Sequence, residues 1–158
     1  MEPEAILRQQ LVALLTKRQA HYSFEDVVDD FPIDQINTHP PHTVYSFWHL
    51  IEHLRLAQLD ILDYIRDPNY SYPNFPDDYW PSGSSRTDAV GWQASIDQFL
   101  SDRQVLADIV MDPKTDLTAQ LPHGQRGHNI LREVMVAADH NAYHVGEFGI
   151  LRGVMDLW

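Results

Sequence analysis

The chain has no cysteine among its 158 residues. It therefore forms no disulfide, offers no thiolate to a metal ion and has no cysteine nucleophile of its own. Any metal site must be built from nitrogen and oxygen ligands. The absence of disulfides suits a reducing compartment, and the first residues, Met1 to Glu4, lack the basic and apolar segments of a secretory signal. We expect a cytoplasmic location.

Basic residues are scarce: 11 lysines and arginines stand against 23 acidic residues, for a formal net charge of -12. A surface this negative repels phosphate backbones and anionic lipid headgroups. Long apolar runs are also missing, because no stretch approaches the ~18 residues needed to span a bilayer. We therefore expect no nucleic-acid partner and no association with membranes.

The apolar content is that of an ordinary folded protein. Hydrophobic residues make up 44% and charged residues 22% of the chain, close to the roughly 45–50% and about 25% of globular proteins. A length of 158 residues is enough for one core of useful size and too short for two full domains. The composition predicts a single domain spanning residues 1–158.

Apolar residues recur every three or four positions in four stretches, at about residues 4–20, 43–66, 87–110 and 128–154. Thr43 and Asp88 are suitable N-caps for the second and third stretches. Proline-rich segments at 23–41 and 67–87 separate the helices, with one short helical turn expected at 24–28. No stretch alternates like a strand. The pattern predicts an all-α protein, a four-helix bundle with long crossover loops.

Nine histidines stand out in this acidic chain. His140 and His144 lie four residues apart on the fourth helix, so both imidazoles project from one side and can share a cation. A catalytic zinc site usually takes three protein ligands and leaves one position open. The third ligand must come from another helix, where His49 and His53 are both candidates. Spacing does not choose between them, and such pairs are also often plain solvated side chains.

Glu147 follows His144 by three residues and lies on the same helix face. It is the candidate catalytic residue, as a fourth ligand, a proton acceptor or a group that orients a ligand, although a surface acid fits the pattern equally well. Asp60 lies two turns beyond His53, too far along the helix for a direct role to be expected. We interpret Arg132 and Glu133 as surface ion-pairing residues. The histidines in predicted loops are expected to be mostly exposed: His21, His39, His42, His123 and His128.

Three segments carry a family resemblance. They are residues 41–58 (PHTVYSFWHLIEHLRLAQ), the tripeptide Tyr79-Trp80-Pro81, and residues 139–147 (DHNAYHVGE) with the Leu151-Arg152 pair that follows. Each is weak by itself, but together they resemble the DinB-like superfamily of bacterial helical bundles, in the expected order and over nearly the whole chain.

The resemblance implies a bundle in up-down-down-up order, often a homodimer, with a divalent metal held by three histidines near one end. Carried over position by position, it implies His53, His140 and His144 as the ligands, because the family's ligand on the second helix directly precedes a Leu-Arg pair. His49 occupies a position where the family pattern does not require histidine. Zinc or nickel is favoured, with manganese or iron as alternatives.

Similar proteins include metal-dependent thiol S-transferases that use bacillithiol, mycothiol or glutathione, a mycothiol-dependent isomerase, and proteins without an assigned activity. The implied chemistry is a small thiol converted to its thiolate by the charge of the cation. The resemblance therefore implies a metal-dependent thiol S-transferase or hydrolase acting on a small molecule. The negative net charge disfavours an acidic thiol unless arginines such as Arg55, Arg126, Arg132 and Arg152 form a local basic patch.

Two other interpretations stay open. One is a non-catalytic metal-binding or dimerisation bundle with a structural site, which closed coordination of the metal would favour. The other, more remote, is a pH sensor based on the many histidines.

Overall fold

A computed structural model describes residues 2–158, and the described chain is built from helices. The helices are α1 (Pro3–Thr16), α2 (Phe24–Val28), α3 (Phe47–Arg66), α4 (Ala89–Met111) and α5 (Ile130–Val154), with a short 3-10 turn at Ile33–Gln35. Within residues 2–158 the only extended pairing is an isolated bridge between Gln120 and Asn129. The predicted all-α bundle is confirmed, including the short α2. The first long helix ends four residues before the predicted 20.

Polar side chains define where the helices begin. The Asp88 carboxylate accepts a hydrogen bond from the Gly91 amide at 2.9 Å, as predicted, and the Asn129 side chain accepts one from the Arg132 amide at 2.9 Å. Because the first amides of a helix have no partner in their own helix, each such side chain stabilises the end it caps.

The predicted cap of α3 is wrong by three residues. The Thr43 hydroxyl hydrogen-bonds to the carbonyls of Pro40 and Tyr45 at 2.8 and 2.9 Å, so it stabilises a turn before the helix. Ser46 is the N-cap instead, and its hydroxyl accepts from the His49 amide at 3.2 Å. The Thr43 side chain is therefore engaged in the turn at residues 40–43, and Ser46 caps α3.

Helices α3 and α4 run parallel. The Trp48 indole, near the start of α3, donates to the Ser95 hydroxyl at 3.2 Å, and further along the Gln58 amide donates to the Phe99 carbonyl at 2.7 Å. Two consecutive parallel helices require a connection that returns along the bundle. The segment 67–88 is that crossover, and α3 and α4 are among the most closely packed helices.

The core consists of two apolar clusters at successive levels of the bundle. Between them lies a polar layer in which the buried Gln58 accepts a hydrogen bond from the Asn141 amide at 3.0 Å. The first cluster comprises Phe24, Val27, Phe31, Ile36, Phe47, Leu50, Ile51, Leu54, Trp92, Ile96, Phe99, Val145 and Phe148. The second comprises Leu11, Leu15, Leu62, Ile65, Leu106, Val110, Leu117, Val134, Ala137 and Ala138.

Some apolar residues within the four predicted helical stretches lie outside this core. Val90 is 77% exposed near the start of α4, and Ile150 is 69% exposed on α5. Their periodicity places them beside buried positions, but neighbouring helices do not cover that side. No helix within residues 2–158 combines the length and apolarity needed to cross a membrane.

Candidate metal centre

Three histidines converge between α3 and α5. The Nε2 atom of His53 lies 3.1 Å from Nε2 of His140 and 3.1 Å from Nε2 of His144. One ring nitrogen from each residue lies within 4.8 Å of the other two. The structure therefore brings together the three residues that the resemblance implied, and the set fits a divalent metal site.

The packing of α3 against α5 creates this convergence. The two helices run antiparallel, because His53 meets His144 while Tyr64, eleven residues later, meets His128. The four-residue spacing of His140 and His144 places both rings on the side of α5 that faces α3, where they meet edge to face with centroids 4.6 Å apart. His53 itself is only 6% exposed.

The second nitrogen of two of these rings is held by the protein. His53 Nδ1 lies 2.8 Å from the Tyr79 carbonyl, and His144 Nδ1 lies 2.7 Å from a carboxylate oxygen of Glu147. A carbonyl and a carboxylate only accept hydrogen bonds, so Nδ1 carries the hydrogen in both rings. In the neutral rings, Nε2 then presents a lone pair, which is the form that binds a metal.

The distance between the His53 and His144 rings shows whether a cation fits between them. Nε2 of His53 and Nε2 of His144 are 3.1 Å apart, and both are acceptors when the rings are neutral. Two facing lone pairs repel each other unless a cation lies between them. Nitrogens that each lie about 2.0–2.1 Å from a tetrahedral zinc ion are roughly 3.3 Å apart. The donor set and its spacing therefore suit a first-row divalent cation.

Burial keeps His53 and His140 neutral. Desolvation lowers the pKa of His53 to about 4, against the opposing hydrogen bond to Tyr79 and with a further contribution from the nearby His144. Desolvation, followed by the nearby His144 and His53, lowers the pKa of His140 to about 4. At neutral pH no proton needs to be displaced from these two rings before a metal binds.

Glu147 contacts His144 at Nδ1, the ring nitrogen that does not face the cluster. One of its oxygens accepts from His144, and the other accepts from the Tyr45 hydroxyl. Burial alone would raise the pKa of Glu147, but the hydrogen bonds from His144 and Tyr45 outweigh it, and the pKa lies below its ordinary value. The carboxylate is therefore ionised at neutral pH and placed to orient His144. Sequence reasoning missed Tyr45, because no local pattern connects a residue before α3 with one on α5.

Trp80 covers one face of His53. The two rings are stacked, with centroids 3.8 Å apart and an interplanar angle of 6°. Trp80 and Tyr45 also form walls of a neighbouring cavity of about 480 Å³. Its lining is mainly apolar: Val44, Tyr45, His49, Pro76, Trp80, Pro81 and Gly83.

His49 does not join the cluster. Its Nδ1 accepts from the Ser46 amide at 3.0 Å, and its Nε2 lies 3.1 Å from the Ser82 carbonyl. Both nitrogens are used within the protein, so neither is free for a cation. The spacing on the helix left both His49 and His53 as candidates for the third ligand. The hydrogen-bond partners around each ring decide in favour of His53.

A second group of polar residues lies at the far end of α3. His123 and His128 are half-buried against Tyr64, with contacts of 2.6 Å to its carbonyl and 3.0 Å to its hydroxyl. Glu133 is only 3% exposed and pairs with Arg132 at 2.6 Å. The expectation of mostly exposed loop histidines is confirmed for His21, His39 and His42 and wrong for His123 and His128, and the expected surface ion pair is wrong for Glu133. The connector before α5 folds over the bundle end and covers these residues.

The comparisons with known proteins agree with this architecture. The sequence model of the DinB superfamily matches residues 17–148, which include all three histidines of the cluster. No curated protein and no solved structure matches the chain significantly. Since the family match extends over most of the chain, and the bundle and histidine cluster fit it, the protein belongs to the DinB superfamily.

Proposed function

We propose that this protein is a divalent-metal-dependent enzyme of the thiol S-transferase or hydrolase type, with the ion held by Nε2 of His53, His140 and His144. The observation that carries the proposal is the convergence of these three nitrogens. When bound, a divalent cation stabilises the deprotonated form of a thiol or water at neutral pH. The imidazole donors favour zinc or nickel, and manganese or iron are alternatives.

The number of ligands supports a catalytic site over a structural one. Among residues 2–158, the cluster contains three histidines and no fourth ligand. Both carboxylate oxygens of Glu147 are engaged by His144 and Tyr45, so this residue is not free to close the coordination. Structural zinc sites usually have four protein ligands, whereas catalytic sites leave one position open.

The surrounding side chains prepare the site in distinct ways. The Tyr79 carbonyl and Glu147 hold Nδ1–H of two histidines, which keeps each Nε2 available. Trp80 excludes water from one face of His53. We assign to Glu147 the orientation of His144, and a role as proton acceptor is the secondary proposal, since its carboxylate is ionised.

The neighbouring cavity supports an uncharged, largely apolar substrate. His49 is the one titratable base that the described residues contribute to the cavity wall, and desolvation lowers its pKa, so its ring is neutral at neutral pH. Of the four arginines named for a basic patch, Arg126 is exposed in the connector at the far end of α3, and the other three are occupied elsewhere. Arg55 pairs with Glu52, Arg132 with Glu133, and Arg152 hydrogen-bonds to backbone carbonyls. A strongly anionic thiol therefore finds little help from these side chains.

Metal analysis tests the first part of the proposal. We expect the protein reconstituted with zinc or nickel to retain about one ion per chain after desalting, and His53→Ala to lose it. His49→Ala, four residues earlier on the same helix, is the matched control and should retain the ion. Failure of the wild-type protein to hold any divalent ion would overturn the enzyme proposal.

Activity assays test the second part. The metal-loaded protein is incubated with a neutral aromatic electrophile and a small thiol, and separately with a neutral ester without thiol. Metal-dependent consumption in the first assay supports S-transfer, and in the second it supports hydrolysis. If a tightly bound ion gives no reaction in either assay and no thiol perturbs its spectrum, a structural site is the better description.

We also propose that the protein forms a homodimer through α5. Tyr143 and Ile150 are 70% and 69% exposed and lie seven residues apart, so they share one face of the helix. Val154 extends this face and is also exposed. Neighbouring exposed apolar side chains on one helix are typical of a surface that a partner covers.

A further inference from the structure

Asp60 ties the crossover segment to α3. Its two carboxylate oxygens accept hydrogen bonds from the hydroxyls of Tyr70, at 2.5 Å, and Tyr79, at 2.7 Å. Both tyrosines belong to the segment between α3 and α4. Two hydrogen bonds to the oxygens of one side chain hold the segment at two positions, so these contacts are effective anchors.

Tyr79 connects this anchor to the histidine cluster. Its hydroxyl donates to Asp60, while its backbone carbonyl accepts from Nδ1 of His53 at 2.8 Å. The next residue, Trp80, stacks on the same imidazole. Asp60 and His53 are seven residues apart on α3, about 10 Å along the helix axis. Tyr79 therefore spans two points of one helix, and its position depends on both.

The chemistry of the tyrosines favours this arrangement at neutral pH. Burial, and then the hydrogen bond to Asp60, raise the pKa of Tyr79 and of Tyr70 above the ordinary value. Both hydroxyls therefore keep their protons and remain donors. If Tyr79 loses its anchor, its carbonyl is free to move away from His53, and the imidazole proton can shift from Nδ1 to Nε2. A ring protonated at Nε2 cannot donate that nitrogen to a cation.

We propose that Asp60 is a positioning residue that acts through Tyr79 to keep His53 protonated at Nδ1 and free at Nε2. Its consequence for metal binding rests on the proposed function, whereas its effect on His53 does not. Sequence reasoning expected no direct role for Asp60, and the structure agrees that it does not reach the cluster. Its influence passes through a loop residue that lies nineteen positions later.

Three variants test the proposal. Asp60→Asn leaves one acceptor oxygen for two hydroxyls, and Tyr79→Phe removes one hydroxyl while keeping the backbone carbonyl. Asp63→Asn is the control, because Asp63 lies on the next turn of α3 and, within residues 2–158, its side chain pairs only with the exposed Arg66. It makes the same change of charge without touching Tyr79.

The first measurement is the tautomer of His53 in the metal-free protein, from the ¹⁵N shifts of its ring at pH 7.5. We expect Nδ1–H in the wild type and in Asp63→Asn, and a mixture of tautomers in Asp60→Asn and Tyr79→Phe. The second measurement is zinc affinity by competition with a chelator. We expect a loss of about tenfold in Asp60→Asn and Tyr79→Phe, the range typical of residues that support a metal ligand from outside.

Unchanged tautomer and affinity in both test variants would overturn the proposal, as would an equal effect of Asp63→Asn. If Asp60→Asn does not fold, Tyr79→Phe decides the result alone. If the wild type binds no zinc, the proposed function fails, and the tautomer measurement still decides the role of Asp60.

Discussion

At the scale of single residues, the two nitrogens of an imidazole have separate tasks. In His53 and His144 one nitrogen is held by a protein acceptor, and the other faces the shared centre. In His49 both nitrogens are satisfied within the protein. The hydrogen-bond partners of each ring, and not its spacing on the helix, distinguish a candidate ligand from a structural histidine.

The depressed histidine pKa values predict a pH dependence of stability. His53 and His140 have a pKa of about 4 in the folded metal-free protein, against an ordinary value of 6.5. Between these values the unfolded chain binds more protons, so the free energy of unfolding falls as the pH drops from about 6.5 towards 4. Urea unfolding of the metal-free protein at pH 7, 6 and 5 measures this slope.

His140→Asn is the matched variant for this prediction. It removes one of the two titrating groups, so the loss of stability between pH 7 and 5 should be smaller than in the wild type. His21→Asn changes an exposed histidine and should leave the slope unchanged. Equal slopes in all three proteins would contradict the prediction.

Replacement of Glu147 should weaken metal binding without removing it. Glu147→Gln keeps the shape of the side chain but loses the charge that favours the hydrogen bond with His144. We expect zinc affinity to fall about 10- to 100-fold, whereas His144→Ala should abolish binding. Isothermal titration with a competing chelator measures both. An affinity within twofold of the wild type would exclude this orienting role.

At the scale of elements, a polar layer joins three helices between the two apolar clusters. Gln58 on α3 bonds to the Phe99 carbonyl on α4 and to the Asn141 amide on α5. The side-chain oxygen of Asn141, Oδ1, has no hydrogen-bond partner within the described chain. A buried polar group is costly when unpaired, so this layer ties the three helices to one register.

Gln58→Leu should lower the free energy of unfolding by about 1–3 kcal/mol, because the amide nitrogen of the half-buried Asn141 then loses its hydrogen-bond partner. The double variant with Asn141→Leu should recover part of that loss, since both partners are then apolar. Denaturant unfolding of the two single variants and the double variant measures the coupling between the residues. Additive losses would show that the two side chains act independently.

At the scale of the whole molecule, the parallel pairing of α3 and α4 places the crossover segment against the histidine cluster. The segment 67–88 runs back along the bundle and delivers Tyr79 and Trp80 to His53. If α3 and α4 were antiparallel, a short turn could join them, and such a turn would not extend along the bundle to His53. The topology therefore supplies contacts to the site that no single helix contains.

The proposed dimer predicts the effect of a charge on the exposed face of α5. The wild type should have a mass in solution near twice 18.3 kDa. Ile150→Asp should shift it to the monomer, because a carboxylate would be buried unpaired in the interface. Val90→Asp places the same change at an exposed position on α4 and should remain dimeric. Light scattering after gel filtration measures the masses, and a monomeric wild type would exclude the dimer.

Much of the fold was predictable because it depends on local periodicity. Asp88 could be identified as a cap, and the start of α2 at Phe24 was expected within the loop. The cap of α3 could not be identified, because Thr43 and Ser46 are both suitable side chains and the turn before the helix decides between them.

Composition and the pitch of a helix were sufficient to predict the helical stretches, the absence of sulfur ligands and the shared face of His140 and His144. Family resemblance pointed to His53. The support that Tyr45, Asp60, Tyr79 and Trp80 give to the cluster depends on how the helices pack and could not be predicted from local pattern. Their contacts join residues from 10 to 102 positions apart, and such distances in the chain are closed by the packing of helices and the path of the crossover, not by local pattern.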